Sequence, residues 1–107
     1  MPFIALEVAH EAVRLLREPL AIIARRDPPL ADQLRRASQA AVLNLAEARR
    51  RRGRDQAQRI RVAAGEAGEA RAALDVALAW RHITPAQRAA LDATLDRVRA
   101  MLYRLTH

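Results

Sequence analysis

The stretch that decides the fold is residues 30–48, "LADQLRRASQAAVLNLAEA". One set of its apolar residues recurs every three or four positions, which is the spacing of one face of an α-helix. This set is Leu30, Leu34, Ala37, Ala41, Leu45 and Ala48. The middle, "AAVLNLA" at residues 40–46, is apolar on nearly every side. We therefore expect a helix that neighbouring helices bury on several faces.

The sequence on both sides of this stretch repeats the helical spacing. The stripes are Leu6, Ala9, Val13, Leu16, Leu20 and Ile23, then Ile60, Ala63, Ala67, Ala70, Leu74, Ala77 and Leu78, then Leu91, Leu95, Val98, Leu102 and Leu105. We predict helices at about 3–25, 28–51, 54–81 and 85–106 in a single domain, residues 1–107. Four helices joined by short turns predict an all-α, antiparallel up-down-up-down four-helix bundle.

Two of the predicted helices begin with strong start signals. Asp27 can cap the second helix, and Pro28 can occupy its first turn. "TPAQ" places Thr84 at the cap of the fourth helix, Pro85 at its first position and Gln87 where it completes a capping box. These signals fix where the chain reverses direction.

Other boundaries rest on single residues. Gly53 is expected to terminate the second helix, and Asp55 then lies in the first turn of the third, where a negative charge is favoured. Pro19 falls inside the first stripe and predicts a kink or an end of the regular helix near Arg17 or Glu18, unless the preceding turn tolerates the lost hydrogen bond.

The composition narrows the class of protein. The 107 residues include no cysteine, so disulfides and thiolate metal sites are excluded. The amino terminus lacks the pattern of a secretory signal, and no run of 18 apolar residues could span a membrane. We expect a cytoplasmic protein without a membrane partner.

The charge of the chain is concentrated in one place. All 19 basic residues are arginine, and they outnumber the 12 carboxylates to give a net charge of +7. Residues 49–54, "RRRRGR", hold five of the arginines and no acid. Because the guanidinium group forks onto phosphates and carboxylates, a polyanionic partner is the first functional hypothesis.

Patterns that could carry catalysis or a metal are weak. Glu7 and His10 have the E-x-x-H spacing of di-iron bundles, but the second pair that such a site needs is missing, so a solvated Glu7 and a partly buried His10 are favoured. Glu66 and Glu69 lack a nucleophile or a histidine partner, so an ion pair or a hydrogen bond between helices is favoured for them. We predict no enzyme, no metal site and no cofactor.

Polar residues also share one face of the second helix. Gln33, Arg36, Asn44 and Glu47 cluster there beside small alanines, which suggests a close, hydrogen-bonded contact within the bundle or between subunits. We assign structural or interface roles to Gln33, Asn44, Glu47 and Glu69.

The basic run has two interpretations, a solvated surface turn or a nucleic-acid patch. In the second, the contacts come from the turn, from Arg35 and Arg36 of the second helix, and from Arg59 and Arg61 of the third. The full set is Arg49, Arg50, Arg51, Arg52, Arg54, Arg35, Arg36, Arg59 and Arg61. The chain has three aromatic residues, which offer few surfaces on which bases could stack, so we expect phosphate contacts to dominate binding.

Several segments resemble the family of 23S rRNA intervening-sequence proteins. That family shows a Q-x-R-R-A segment, then N-I-A-E-G, and then A-x-G-S-x-x-E. Here Gln33, Arg35, Arg36 and Ala37 match the first, Asn44, Ala46 and Glu47 the second, and Ala64, Gly65 and Glu69 the third. "RVRAMLYRL", residues 97–105, is similar to the family's closing helix.

The resemblance implies a left-handed up-down bundle that assembles as a ring-shaped homopentamer. A related branch, the accessory variability proteins of diversity-generating retroelements, is basic, pentameric and works with a reverse transcriptase and its RNA template. The leading hypothesis is a non-enzymatic, oligomeric protein that binds RNA or DNA. The alternative is a protein-interaction scaffold whose basic turn docks an acidic partner or a reverse transcriptase.

Overall fold

Four α-helices make up nearly all of residues 3–107, the part of the chain that the computed structural model describes. α1 spans Ile4–Arg26, α2 Pro28–Arg49, α3 Gly53–Ala79 and α4 Pro85–Thr106. Short connections make consecutive helices antiparallel. The all-α, up-down-up-down four-helix bundle predicted from the sequence is confirmed.

The predicted helix starts have the expected caps. The Asp27 carboxylate accepts a hydrogen bond from the backbone N–H of Leu30 at 3.2 Å. Thr84 and Gln87 form a complete capping box, in which each side chain accepts from the other residue's backbone N–H. Both caps satisfy N–H groups that have no partner inside their own helix.

The second helix ends earlier than predicted, at Arg49 rather than at residue 51. Gly53 does not end α2. It is instead the first residue of α3, and its φ of +59° is in the left-handed region that favours glycine. Three arginines at positions 50–52 therefore lie in the connection itself rather than on a helix.

α1 continues through Pro19, which is buried, so the helix does not end near Arg17 or Glu18. A proline lacks the N–H that would bond to the carbonyl four residues earlier, here that of Leu15. Leu15 is 38% exposed, so this turn of α1 lies at the surface of the bundle. The preceding turn thus tolerates the lost hydrogen bond.

The core consists of two clusters, one toward each end of the bundle. We call the end that carries residues 50–52 the turn end; the cluster beneath it includes Leu45, Ile60 and Leu102. The cluster toward the far end includes Leu34 and Leu74. Within residues 3–107, eleven of the 23 buried apolar residues are alanine, so the helices pack closely and few large side chains fill the interior.

One residue of the apolar run at 40–46 is not buried. Leu43 is 67% exposed, whereas Leu45 is fully buried. Two positions along an α-helix are rotated by roughly 200°, so these side chains lie on nearly opposite sides of α2. Because α2 packs against α1 and α3, its outer side stays uncovered within the single chain. The expectation of burial on nearly every side is wrong for Leu43.

A buried ion pair joins α3 to α4. The guanidinium of Arg88, 9% exposed, contacts the carboxylate of Asp75 on α3 at 3.0 Å and that of Asp92 on α4. Two carboxylates thus compensate one buried positive charge.

Nothing in the helices of the described chain is both long enough and apolar enough to cross a membrane.

Candidate nucleic-acid interface

The connection between α2 and α3 is closed by backbone and side-chain hydrogen bonds. The amide of Gln56 donates from Nε2 to the carbonyls of Ala48 and Arg51, each at 3.0 Å. The N–H groups of Arg50 and Arg51 bond to the carbonyls of the last turn of α2. These bonds satisfy carbonyls that lose their helical partners where α2 ends. The backbone that carries the arginines is therefore fixed.

Arg51 is held by two carboxylates, one from each helix. Its Nη2 lies 2.7 Å from Oε1 of Glu47 on α2, and its Nη1 lies 2.8 Å from Oδ2 of Asp55 on α3. The hydrogen bond from Arg51 holds the pKa of Glu47 below its usual range, and Glu47 in turn raises the pKa of Arg51. We call this arrangement of Glu47, Arg51 and Asp55 the Arg51 clamp.

The other four arginines of the turn have no such partner. Their side chains are exposed, and within residues 3–107 none forms an ion pair with a carboxylate; they are Arg49, Arg50, Arg52 and Arg54. The contact surface that the sequence predicts with five arginines therefore reduces to these four, which we call the open arginines. Arg51 supports the backbone between them.

Arg59 and Arg61 extend the same end of the bundle along α3. Arg61 is exposed and lies eight residues beyond Gly53, which corresponds to roughly 12 Å along the helix. Arg59 is half-buried, and its Nη1 donates to Oδ1 of Asn44 at 3.4 Å, while Asn44 donates to the carbonyl of Ala40 at 2.8 Å. Arg59 thus links α3 to α2, and Arg61 is the more accessible cation.

Arg35 and Arg36 do not belong to this surface. Arg35 contacts Asp32 at 2.9 Å and Arg36 contacts the same carboxylate at 3.1 Å. They precede Arg49 by 13 or more residues of one helix, which places them about 20 Å away along its axis. Because α2 is one continuous helix, it keeps these two arginines apart from the turn.

The predicted polar face of α2 is divided in the structure. Asn44 and Glu47 have the hydrogen-bond partners described above, and their structural role stays a prediction. Gln33 on α2 and Glu69 on α3 are exposed and have no side-chain hydrogen bond within residues 3–107. Their role at an interface stays a prediction.

The E-x-x-H pair lies on the surface. Glu7 and His10 are both exposed, so the expectation of a partly buried His10 is wrong. Among residues 3–107, no group of three histidine, aspartate or glutamate side chains is arranged to hold a metal ion.

The clamp predicts a specific pH response. Because the folded-state pKa of Glu47 is lowered, its ion pair stabilises the turn above the ordinary pKa of glutamate, and this contribution is lost as the pH falls through the lowered value. We expect the Glu47 carboxyl to titrate below the usual glutamate range in an NMR pH titration and to return toward it in Arg51→Gln. A midpoint that the substitution leaves unchanged would contradict the clamp.

These observations define a class, an all-α four-helix bundle with a cationic connection between its second and third helices. The chain belongs to the 23S rRNA-intervening sequence protein family, whose model matches residues 5–104. The fold is also that of a crystal structure from Bacteroides thetaiotaomicron, a protein of unknown function from the S23 ribosomal protein family. The TM-score is 0.84 at 19% sequence identity, over 95% of this chain and 97% of that chain. The comparison with curated proteins finds no match.

Proposed function

We propose that this protein binds nucleic acid through phosphate contacts made by the open arginines. The observation that carries the proposal is the contrast within one turn: Arg51 is paired with two carboxylates, while the four arginines beside it are exposed and have no carboxylate partner within residues 3–107. An arginine that already has a carboxylate partner has little to gain from a phosphate. An exposed one with no partner gains a charge-assisted, bidentate contact.

The rigidity of the turn favours this function. Gln56 and the clamp fix the backbone from both helices, so binding a phosphate chain orders arginine side chains without ordering a loop. The turn also combines a strong positive field with almost no local acid, because the two carboxylates next to it are already paired. Such a surface recognises the regular charge of a nucleic-acid backbone rather than its base sequence.

We further propose that the chain assembles as a ring-shaped homopentamer. The resemblance described above supports this, and so do exposed apolar residues on the outer sides of α2 and α3, namely Leu43, Val62 and Val76. A ring would present five arginine turns to one strand, and linked weak sites gain avidity on the order of 100- to 10,000-fold. Light scattering should give a molar mass of about five chains of 11.9 kDa; the mass of one chain would contradict the ring.

The partner in this proposal is an RNA template and its reverse transcriptase, as in the accessory variability proteins, a branch related to the family that the sequence resembles. The supporting observations are the basic charge of the chain and the concentration of that charge in one exposed turn. In this role the turns hold the template while the polymerase copies it. Assembly with a reverse transcriptase in the absence of RNA would instead favour the scaffold function.

Salt dependence tests the phosphate contacts directly. Four contacts predict a slope of log K against log[salt] of roughly −3 to −4 for each engaged turn, with RNA at the lower and duplex DNA at the upper end. Fluorescence anisotropy of a labelled 20-nucleotide RNA, measured from roughly 50 to 200 mM salt, gives this slope. Binding that is insensitive to salt would contradict phosphate-led recognition and favour an apolar protein partner.

A further inference from the structure

A second cationic surface lies at the far end of the bundle. It is formed by residues 25–27, which are the last two residues of α1 and the residue that follows, and by the connection between α3 and α4, residues 80–84. Trp80 is the only tryptophan of the chain and is 69% exposed there. Tryptophan side chains are usually buried over most of their surface, so an indole this open in a cationic setting requires an explanation.

Three arginines lie in the same two segments as Trp80. Arg25, Arg26 and Arg81 are exposed, and within the described part of the chain none of them pairs with a carboxylate. Arg26 Nη1 donates to the backbone carbonyl of Arg81 at 3.3 Å, which holds the Trp80 connection against the end of α1. Asp27, the acidic residue within these two segments, already has a partner, because its Oδ2 lies 3.3 Å from His82 Nε2.

The backbone at Arg81 is in an unfavourable conformation. Its φ of +61° lies in the left-handed region, where helices usually end on a glycine. The N–H of His82 bonds to the carbonyl of Ala77 and that of Arg81 to the carbonyl of Leu78, both at 2.9 Å, which is the usual geometry of such a helix end. An arginine therefore occupies a glycine position directly beside Trp80, and strained residues of this kind concentrate at functional sites.

We propose that Trp80, Arg25 and Arg81 form a second site that binds single-stranded nucleic acid by stacking one unpaired base on the indole. The flat face of an exposed tryptophan offers a base a stacking surface, and the arginines beside it bind the flanking phosphates. Paired bases are already stacked on one another, so the site selects single strands over duplexes. This inference is independent of the open arginines, because the bundle is 42 Å long and the two surfaces lie at opposite ends.

The single tryptophan makes the site directly observable, since a base stacked on an indole quenches its fluorescence. The probe is an oligo(U) single strand, and its control is an abasic oligonucleotide with the same number of phosphates. The protein carries Arg49, Arg50, Arg52 and Arg54→Gln, so that the turn end does not compete. Oligo(U) should quench Trp80 emission, and the abasic strand should not. Equal emission changes with both strands, or none with either, would overturn the proposal.

Substitutions separate binding from structure. Trp80→Ala should weaken oligo(U) binding roughly 5- to 150-fold by anisotropy, the range expected for one stacked base, while Trp80→Phe keeps most of it. Glycine adopts the left-handed conformation without strain, so Arg81→Gly should preserve or raise thermal stability. It should also lower the magnitude of the slope of log K against log[salt] by about 0.7, because one phosphate contact is lost. If Arg81→Gly left binding unchanged, Arg81 would serve only to end the helix, and the site as proposed would be wrong.

A membrane surface is the other environment that an exposed tryptophan among arginines could meet. Vesicles of anionic phospholipid, added to the same protein, provide that comparison. A blue shift of Trp80 emission with vesicles, together with no quenching by oligo(U), would overturn the nucleic-acid site in favour of a lipid surface. Quenching by oligo(U) with no response to vesicles supports the proposal.

Discussion

Replacement of the open arginines, Arg49, Arg50, Arg52 and Arg54→Gln, should lower affinity for RNA or DNA by at least about 100-fold at low salt. Each of these side chains is exposed and unpaired within the described chain, so each can release one counterion from the nucleic acid. Without them the contribution of the turn end to the slope of log K against log[salt] should fall toward zero. Anisotropy titrations at several salt concentrations measure both quantities.

The substitutions should leave the fold intact. Glutamine is a good helix former, and the Arg51 clamp and Gln56 continue to hold the connection. Far-ultraviolet circular dichroism and molar mass should therefore equal those of the unmodified protein. A loss of helicity in this variant would show that the four arginines also support the turn.

A matched control removes the same amount of charge elsewhere. The variant Arg14, Arg17, Arg35 and Arg36→Gln also lowers the net charge by four, and three of its arginines already contact carboxylates. We expect it to reduce affinity far less than the turn variant. Equal losses in both variants would mean that total charge, rather than the turn, governs binding.

Periodicity and caps made the fold predictable from the sequence. The stripe through Leu34 and Leu45 fixes the buried face of α2. The Asp27 cap, the capping box of α4 and the prolines beside them fix where these helices begin, because such signals act within a few residues. Whether α1 continues through Pro19 was not predictable, because it depends on whether solvent reaches the carbonyl of Leu15, which lacks a helical N–H partner. Burial of Leu43 was wrongly expected because an apolar run does not reveal how many neighbours a helix has.

The candidate site was predictable in position but not in composition. The density of arginine locates the turn. That Arg51, unlike the other four, pairs with two carboxylates depends on how α2 and α3 approach each other at their junction. The spacing Glu47, Arg51, Asp55 repeats every four residues, a signal that could have identified the clamp. No comparable sequence pattern predicts that Trp80 is exposed. Its exposure follows from its place at the end of α3, which periodicity defines least well.

Leu45→Ala should lower the free energy of unfolding by about 3 kcal/mol, the typical cost of a fully buried leucine. This is a large fraction of the 5–15 kcal/mol expected for a domain of this kind. The core is rich in alanine, so nearby side chains are too short to fill the space that the substitution leaves. Urea denaturation followed by circular dichroism gives the free energy, and Leu45→Met should cost less than about 1.5 kcal/mol.

Leu43→Ala is the matched control, because it makes the same substitution in the same helix two residues away. Leu43 is 67% exposed, so in the isolated chain the change in the free energy of unfolding should stay within about 0.5 kcal/mol.

If a ring covers Leu43, however, removing its side chain weakens the contact between copies. The variant should then dissociate at a higher protein concentration, while the unfolding of the dissociated chain is unaffected. Leu45→Ala should show the reverse, a loss of stability at every concentration. Equal behaviour of the two variants in dilute solution would contradict the orientation of α2, and Leu43→Ala without effect at any concentration would remove Leu43 from the proposed interface.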